Sequence, residues 1–269
     1  MKTFNLTSVL LFVALAFTAC QKESNNPIDF ENQNQAVTAA KPAAKKWHIK
    51  TKIDNNGLMC QEFNYDGSGK LSSINYAAGL VQNFYYGVTG NLETVEVFDP
   101  AKGQLIRSMS YQYNANSNLP ELVQVFNLET GTPVYETRTE FEWNAKGQKT
   151  KEVTKNMITH VEQKSVFQYA NGNATFIRYF VDNAAIGVQT FIQFDTEKNP
   201  YKNTTVLALL PGFEFHGKNA IETIQDRNGN VATEVNTITY NNQKLPTSIE
   251  TSINGSPLTT KQGFTYIKL

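Results

Sequence analysis

The side chains able to do chemistry are few in this sequence, and they are scattered. His48, His160 and His216 lie far apart and share no metal-ligand spacing such as H-E-x-x-H. Each is expected on a strand face or in a turn. Two cysteines, Cys20 and Cys60, are too few for a disulfide framework. Cys60 has no histidine near it in sequence and reads as an inert strand thiol. There is no G-x-S-x-G turn and no glycine-rich phosphate loop. Asp226-Arg227-Asn228-Gly229-Asn230 has the composition of a calcium loop, but its glycine stands fourth instead of sixth. A hairpin turn accounts for the same residues. Among the 24 acidic residues, a carboxylate pair for glycoside hydrolysis would meet only in space, and many of the acids alternate with lysine as structural charge. No catalytic residue, metal ligand or cofactor is expected, and a hydrolase with an unrecognised carboxylate pair stays as the lesser alternative.

Charge and the N-terminus speak to location. Lys+Arg and Asp+Glu both number 24, with no basic block beyond Lys45-Lys46, so nothing favours nucleic acid. Residues 1–20 have the form of a secretory signal: Lys2, an apolar run from Val9 to Phe17, then Thr18-Ala19-Cys20. A small residue before a lone cysteine at this place resembles the lipobox of bacterial lipoproteins, with Phe17 where a leucine is usual. The resemblance implies cleavage before Cys20 and acyl chains on it, and so a membrane partner through a lipid anchor. Gln21-Lys22-Glu23 looks like the short signal that sends Bacteroidetes-type lipoproteins to the outer face of the outer membrane. It implies surface exposure, with a periplasm-facing domain as the alternative. Residues 21–46 are rich in Asn, Gln, Ala, Lys and Pro and read as a flexible tether. Residues 47–269 are expected to form a single β-repeat domain.

The elements behind these residues come from one repeated phrase: an aromatic or branched residue, a spacer, a second aromatic, then a turn. Phe63/Tyr65, Phe84/Tyr86, Tyr111/Tyr113, Phe141/Trp143, Phe167/Tyr169, Ile192/Phe194, Phe213/Phe215, Ile238/Tyr240 and Phe264/Tyr266 follow it. The mean spacing is about 25 residues. Gly and Asn turn signals separate runs such as Leu92–Phe98, Leu122–Phe126 and Ile221–Ile224, which suit strands. The reading is an all-β antiparallel meander of about 16–18 strands, two per repeat. One face of it is a continuous aromatic-aliphatic surface that must be covered. A round barrel of this size would leave an aqueous lumen, and a membrane barrel would turn the apolar set to lipid. Gln148–Lys155 carries charge on both strand faces and argues against the latter. The expected fold is a twisted sheet rolled into a flattened barrel or a sandwich.

The segment Phe63-Asn64-Tyr65-Asp66-Gly67-Ser68-Gly69-Lys70-Leu71 resembles the YD repeats of RHS-type proteins. The whole chain is similar to Bacteroidetes surface lipoproteins of undefined function with degenerate repeats of this kind. Asp195–Tyr201 and Gly217–Ile221 match the turns that bracket an irregular excursion in those relatives. The resemblance implies an all-β surface lipoprotein and transfers no active site. Within the excursion, Val206, Leu207, Leu209 and Leu210 are expected either to plug the rolled sheet as a short helix or to form a partner-binding patch. The function expected is an outer-membrane-anchored, non-enzymatic binding module for an extracellular glycan or protein. A structural envelope or adhesion repeat protein is the alternative.

Overall fold

The structure, a computed structural model, describes residues 45–269 apart from 55–56, 116, 202, 213–217 and 257–258. Sixteen strands follow one another along the chain. In order they are β1 (Trp47–Ile53), β2 (Met59–Tyr65), β3 (Leu71–Tyr76), β4 (Val81–Tyr86), β5 (Leu92–Asp99), β6 (Gln104–Tyr113), β7 (Pro120–Asn127) and β8 (Val134–Trp143). The second half comprises β9 (Lys149–Asn156), β10 (Glu162–Ala170), β11 (Asn173–Val181), β12 (Ala184–Phe194), β13 (Ala220–Arg227), β14 (Asn230–Tyr240), β15 (Pro246–Ile253) and β16 (Thr259–Lys268). Every strand pairs antiparallel with its sequence neighbours, and β1 closes on β16 from Trp47↔Lys268 to Ile53↔Gly263. The meander is therefore a closed barrel, and the sandwich alternative does not form. Closure removes both sheet edges, which an open sheet of this length would leave unpaired.

The repeated phrase has a mechanical explanation. All even-numbered strands end at one rim, and each odd strand starts there with a β-bulge that places one extra residue opposite its neighbour. Ser72, Glu93, Glu121, Thr150 and Thr247 are such residues, at the register shifts facing Tyr65, Tyr86, Tyr113, Trp143 and Tyr240. A bulge takes backbone groups out of the ladder. The second aromatic of the following even strand supplies the missing partner. Tyr86 donates to the Leu71 carbonyl at 2.8 Å, Tyr113 to Leu92 at 2.7 Å, Trp143 Nε1 to Pro120 at 2.7 Å and Tyr169 to Lys149 at 2.8 Å. Tyr266 does the same for Pro246 at 2.6 Å, and across the seam Tyr65 does it for Ile49 at 2.8 Å. At β13 the side-chain amide of Asn236 serves Ala220 instead, at 2.9 Å.

Asp66 then closes its turn by accepting from Ser68 N at 2.8 Å and Lys70 N at 2.9 Å, while Gly69 takes φ +82°. Asn144 and Asn241 fill the same role, accepting from Gln148 N and Leu245 N at 3.0 Å each. The first aromatic of the phrase is the core residue: Phe63, Phe84, Phe141, Phe167 and Phe264 are buried inside the barrel. One pair departs from the expectation. On β12 two register shifts turn Phe191 inward, whereas Ile192 is 52% exposed, so the working pair there is Phe191/Phe194. Phe213/Phe215 lies outside the described residues.

Removing one rim hydroxyl tests this account. Tyr113→Phe strands the Leu92 carbonyl and is expected to cost about 1–3 kcal/mol in denaturant unfolding. Phe63→Ala should cost about 3–5 kcal/mol. Loss within about 0.5 kcal/mol for Tyr113→Phe, the range of an ordinary surface substitution, would refute the bulge-and-tyrosine coupling.

Candidate functional site

A barrel of sixteen strands is wide enough to hold an aqueous channel. Here the link from β12 to β13 fills it. The link begins and ends in a latch: Asp195 N donates to Asn219 O, and Asn219 N donates to Asp195 Oδ1, each at 3.0 Å. Asn219 Nδ2 also reaches Asp195 Oδ2 at 2.7 Å, and the Tyr240 hydroxyl donates to the same oxygen. Asn199 and Asn219 are buried within this knot, which explains why asparagine stands in both bracketing turns. Burial holds the Asp195 carboxyl above its ordinary value, opposed by the hydrogen bonds it accepts.

Between the latch ends, the chain enters the lumen. Tyr201 packs between Phe63 of β2 and Phe264 of β16, with ring centroids 6.2 and 6.3 Å away. Asn203 Nδ2 donates to the Trp47 carbonyl at 2.6 Å, and Thr204 Oγ1 lies 3.0 Å from the Tyr65 hydroxyl. A 3-10 helix follows over Thr205–Leu209. Leu207, Leu209 and Leu210 are buried in one apolar cluster with Val95, Val123 and Phe141, and Val206 packs against it. Gly212 N then donates to Glu152 Oε1 on β9 at 2.7 Å. In the strand order β9 lies eight places from β1, halfway round the ring. The segment therefore crosses the lumen from wall to wall.

Its far seat is charged. Lys149 and Glu152 face inward as an ion pair of 2.7 Å, with side chains only 6% and 9% exposed. Lys149 Nζ also lies 4.8 Å from the Phe141 ring centroid. A buried pair is costly to break, because the survivor is left uncompensated. Lys52 of β1 is a second inward cation, 3% exposed, and burial brings its ammonium down to about 7.

The residues singled out for chemistry do not converge. His48 is buried edge-on to Tyr65 at 4.9 Å, its imidazole lowered first by burial and then by Lys46, while His160 sits in a turn at φ +63°. His216 and Cys20 lie outside the described residues. A register shift at Lys52/Ile53 buries Cys60, whose sulfur lies 3.2 Å from the Lys52 carbonyl and is held in a disulfide, so it is not the free strand thiol the sequence suggests. Among the described residues there is no free cysteine and no group of three His, Cys, Asp or Glu side chains placed to hold a metal. Asp226 accepts from Gly229 N at 2.8 Å and closes the hairpin turn between β13 and β14. What the sequence reading missed is the outer wall over β6–β9. There Gln112, Arg138, Glu140 and Lys151 line a groove of about 420 Å³. Its residues read as ordinary alternating polar positions, and only strand register brings them together.

The exterior is mostly polar, with scattered exposed apolar residues such as Ile192, Val231 and Ile253. Cross-strand ion pairs Lys50–Glu62, Lys151–Glu142 and Lys261–Glu250, at 2.8, 2.8 and 2.6 Å, lie on it. No helix among the described residues is long and apolar enough to cross a membrane. No protein-family model matches the sequence, and no curated protein matches it. Solved structures do resemble it. A porin-like protein of Bacteroides uniformis superposes with TM-score 0.53 at 16% identity, over 83% of this chain and 96% of that one. A porin-like protein of Bacteroides vulgatus gives TM-score 0.49 at 10% identity, over 82% and 100%. The first likeness establishes a shared fold.

Two measurements address the lumen. Leu210→Ala should cost about 2–5 kcal/mol, and Lys149→Ala about 3–5 kcal/mol by stranding Glu152. An unchanged melting temperature for Leu210→Ala would mean that the segment does not pack inside. Lys52 gives a pH signature. Because its folded value is depressed, the unfolded chain binds more protons between pH 7 and 10.5, so its contribution to stability rises with pH there. Lys52→Met should raise stability at pH 7 and flatten the slope between pH 7 and 9. An unaltered slope would contradict a buried ammonium.

Proposed function

We propose that this chain is a lipid-anchored envelope protein whose barrel is a rigid, non-enzymatic binding module presented outside the cell, with a glycan or protein as ligand. The observation that carries the proposal is the division of surfaces: the lumen is occupied by its own chain, while the exterior is mostly polar and ion-paired, its exposed apolar residues scattered. A pore, which the name of the porin-like neighbours invokes, needs an open lumen and a lipid-facing apolar band. This barrel has the opposite polarity, so its binding surface lies on the outer wall and the loops. Thr18-Ala19-Cys20 and Gln21-Lys22-Glu23 support anchoring at Cys20 and export to the outer face. The outer-wall groove brings Glu140 and Glu142 to one side, but they are 56% and 63% exposed and ion-paired with Arg138 and Lys151. Those surroundings lack the apolar enclosure that sets a general acid apart from its partner.

The test joins location to activity. The mature protein extracted from membranes should begin at Cys20 and carry the mass of acyl chains, and Cys20→Ala should release it. A disulfide between Cys20 and Cys60 would exclude the thioether, since one sulfur cannot hold both, and intact mass distinguishes them. Reconstituted protein should give no conductance across planar bilayers. Full membrane retention of Cys20→Ala, or a steady conductance, would sink the proposal.

A further inference from the structure

Register determines what the outer wall over β6–β8 displays. On β7, Leu122, Gln124 and Phe126 point outward because Val123 and Val125 between them are buried in the lumen core. Ser110 and Ser108 of β6 stand opposite Gln124 and Phe126, and Arg138 of β8 stands opposite Gln124. A register shift between Val125 and Phe126 then aligns Phe126 with Tyr135, and their rings stack with centroids 5.2 Å apart and planes 24° apart. Gln124 links this aromatic pair to the groove. Its Oε1 accepts from Gln112 Nε2 at 3.1 Å, and its Nε2 donates to the Tyr135 hydroxyl at 3.2 Å. The result is one continuous strip along the wall: a groove of about 420 Å³, an amide relay, then a two-ring platform. The serines beside the platform are small and leave it open on the β6 side.

We propose that this strip binds a neutral glycan, with the β6-side face of Phe126, backed by Tyr135, taking the C–H face of a sugar ring and Gln112, Gln124 and Arg138 taking its hydroxyls. This rests on the binding-module reading and names its ligand class. A sugar is amphipathic in the way the strip is. Its ring faces are apolar and its rim is a set of hydroxyls that donate and accept at once, which side-chain amides match. Charge selects a neutral ligand. Arg138 and Lys151 are held by Glu140 and Glu142, at 2.8 Å each, and Glu121 adds a further carboxylate to the groove. An acidic polysaccharide would meet net repulsion. A protein partner fits less well, because interface cores are depleted in Lys, Glu and Asp, and these residues line the groove.

The experiment is affinity electrophoresis of the full chain through gels containing neutral polysaccharides (xylan, mannan, glucan) or acidic galacturonan, with melting curves for every variant. Tyr135→Ala removes the ring that backs and orients Phe126, and Gln124→Ala removes the relay. Tyr135→Leu keeps bulk without a ring, should the alanine variant fold poorly. Phe180→Ala is the control, an outward ring on β11 covered by Lys164 at 4.5 Å. Retention by at least one neutral polysaccharide is expected, weakened about tenfold by the Tyr135 and Gln124 variants and unchanged by Phe180→Ala. Retention that both variants leave intact would place the site elsewhere and overturn the inference, as would preference for galacturonan or no retention by any polysaccharide. None of these outcomes touches the anchoring reading, which the mass at Cys20 decides separately.

Discussion

Everything in this molecule depends on filling a ring of sixteen strands. Antiparallel pairing of successive hairpins costs little to extend, and closing β1 on β16 removes the exposed edges. The closed ring encloses more space than one layer of side chains can occupy, and an inner surface built from phenylalanine and branched aliphatics cannot be left against water. The chain resolves this with its own β12–β13 link. Tyr201, Leu207, Leu209 and Leu210 join the wall residues in a single apolar cluster, and Gly212 and Glu152 fix the segment to the opposite side. The latch between Asp195 and Asn219 holds the two ends of the link together, so the loop-closure cost falls on a short, hydrogen-bonded neck.

How much of this was legible follows the range of the interactions. The aromatic phrase is local, and it revealed a meander with two strands per repeat because bulge, tyrosine and turn all lie within one hairpin pair. Phe63, Tyr65, Asp66, Gly69 and Leu71 each do in the structure one thing that their type allows. Closure was not legible in the same way: Trp47 and Lys268 meet across 221 residues, and no local pattern distinguishes a barrel from a sandwich built of the same strands. The misplaced pair on β12 has the same origin. Ile192 and Phe194 keep the spacing of the phrase, but two register shifts, set by β13 across the latch, exchange Ile192 for Phe191 on the inner face. The plug residues stood out as an apolar break in the repeat, yet their direction, inward and across, depends on contacts with β1, β2, β9 and β16. The outer-wall strip carried no signal, since Gln112, Gln124 and Arg138 are ordinary exposed residues until register aligns them.

The fold shared with a porin-like protein makes the polarity of the barrel the informative feature. Topology is indifferent to which face is apolar, because a shift of one residue in side-chain alternation converts one arrangement into the other. A barrel with an apolar inner face and one with an apolar outer face are therefore two arrangements of one architecture, separated by side-chain phase. In this chain the phase is held in place on six of the eight even strands by the rim aromatics. A tyrosine that must reach a bulge carbonyl over the preceding strand cannot also face outward, so the hydrogen bond that completes the backbone at the rim fixes the hydrophobic face as the inner one.

That coupling also bears on where function can change. Inner positions answer to the bulges, the plug and the Lys149–Glu152 seat together, so a substitution there disturbs several partners at once. Outer positions answer mainly to their cross-strand neighbours. Pairs such as Lys151 with Glu142, or Gln112 with Gln124, can be exchanged at small cost, because exposed pairs contribute only about 0–1 kcal/mol. A barrel whose interior is rigidly specified and whose wall is loosely constrained is suited to present different polar surfaces on one scaffold. The stacked Phe126–Tyr135 pair stands apart from that background. It is an outward aromatic cluster at a register shift, formed where the β7–β8 ladder would hold its strands equally well with threonine or serine. A feature that the fold does not require, set beside a groove and joined to it by an amide relay, brings an apolar ring pair and polar side chains together on one strip of the wall.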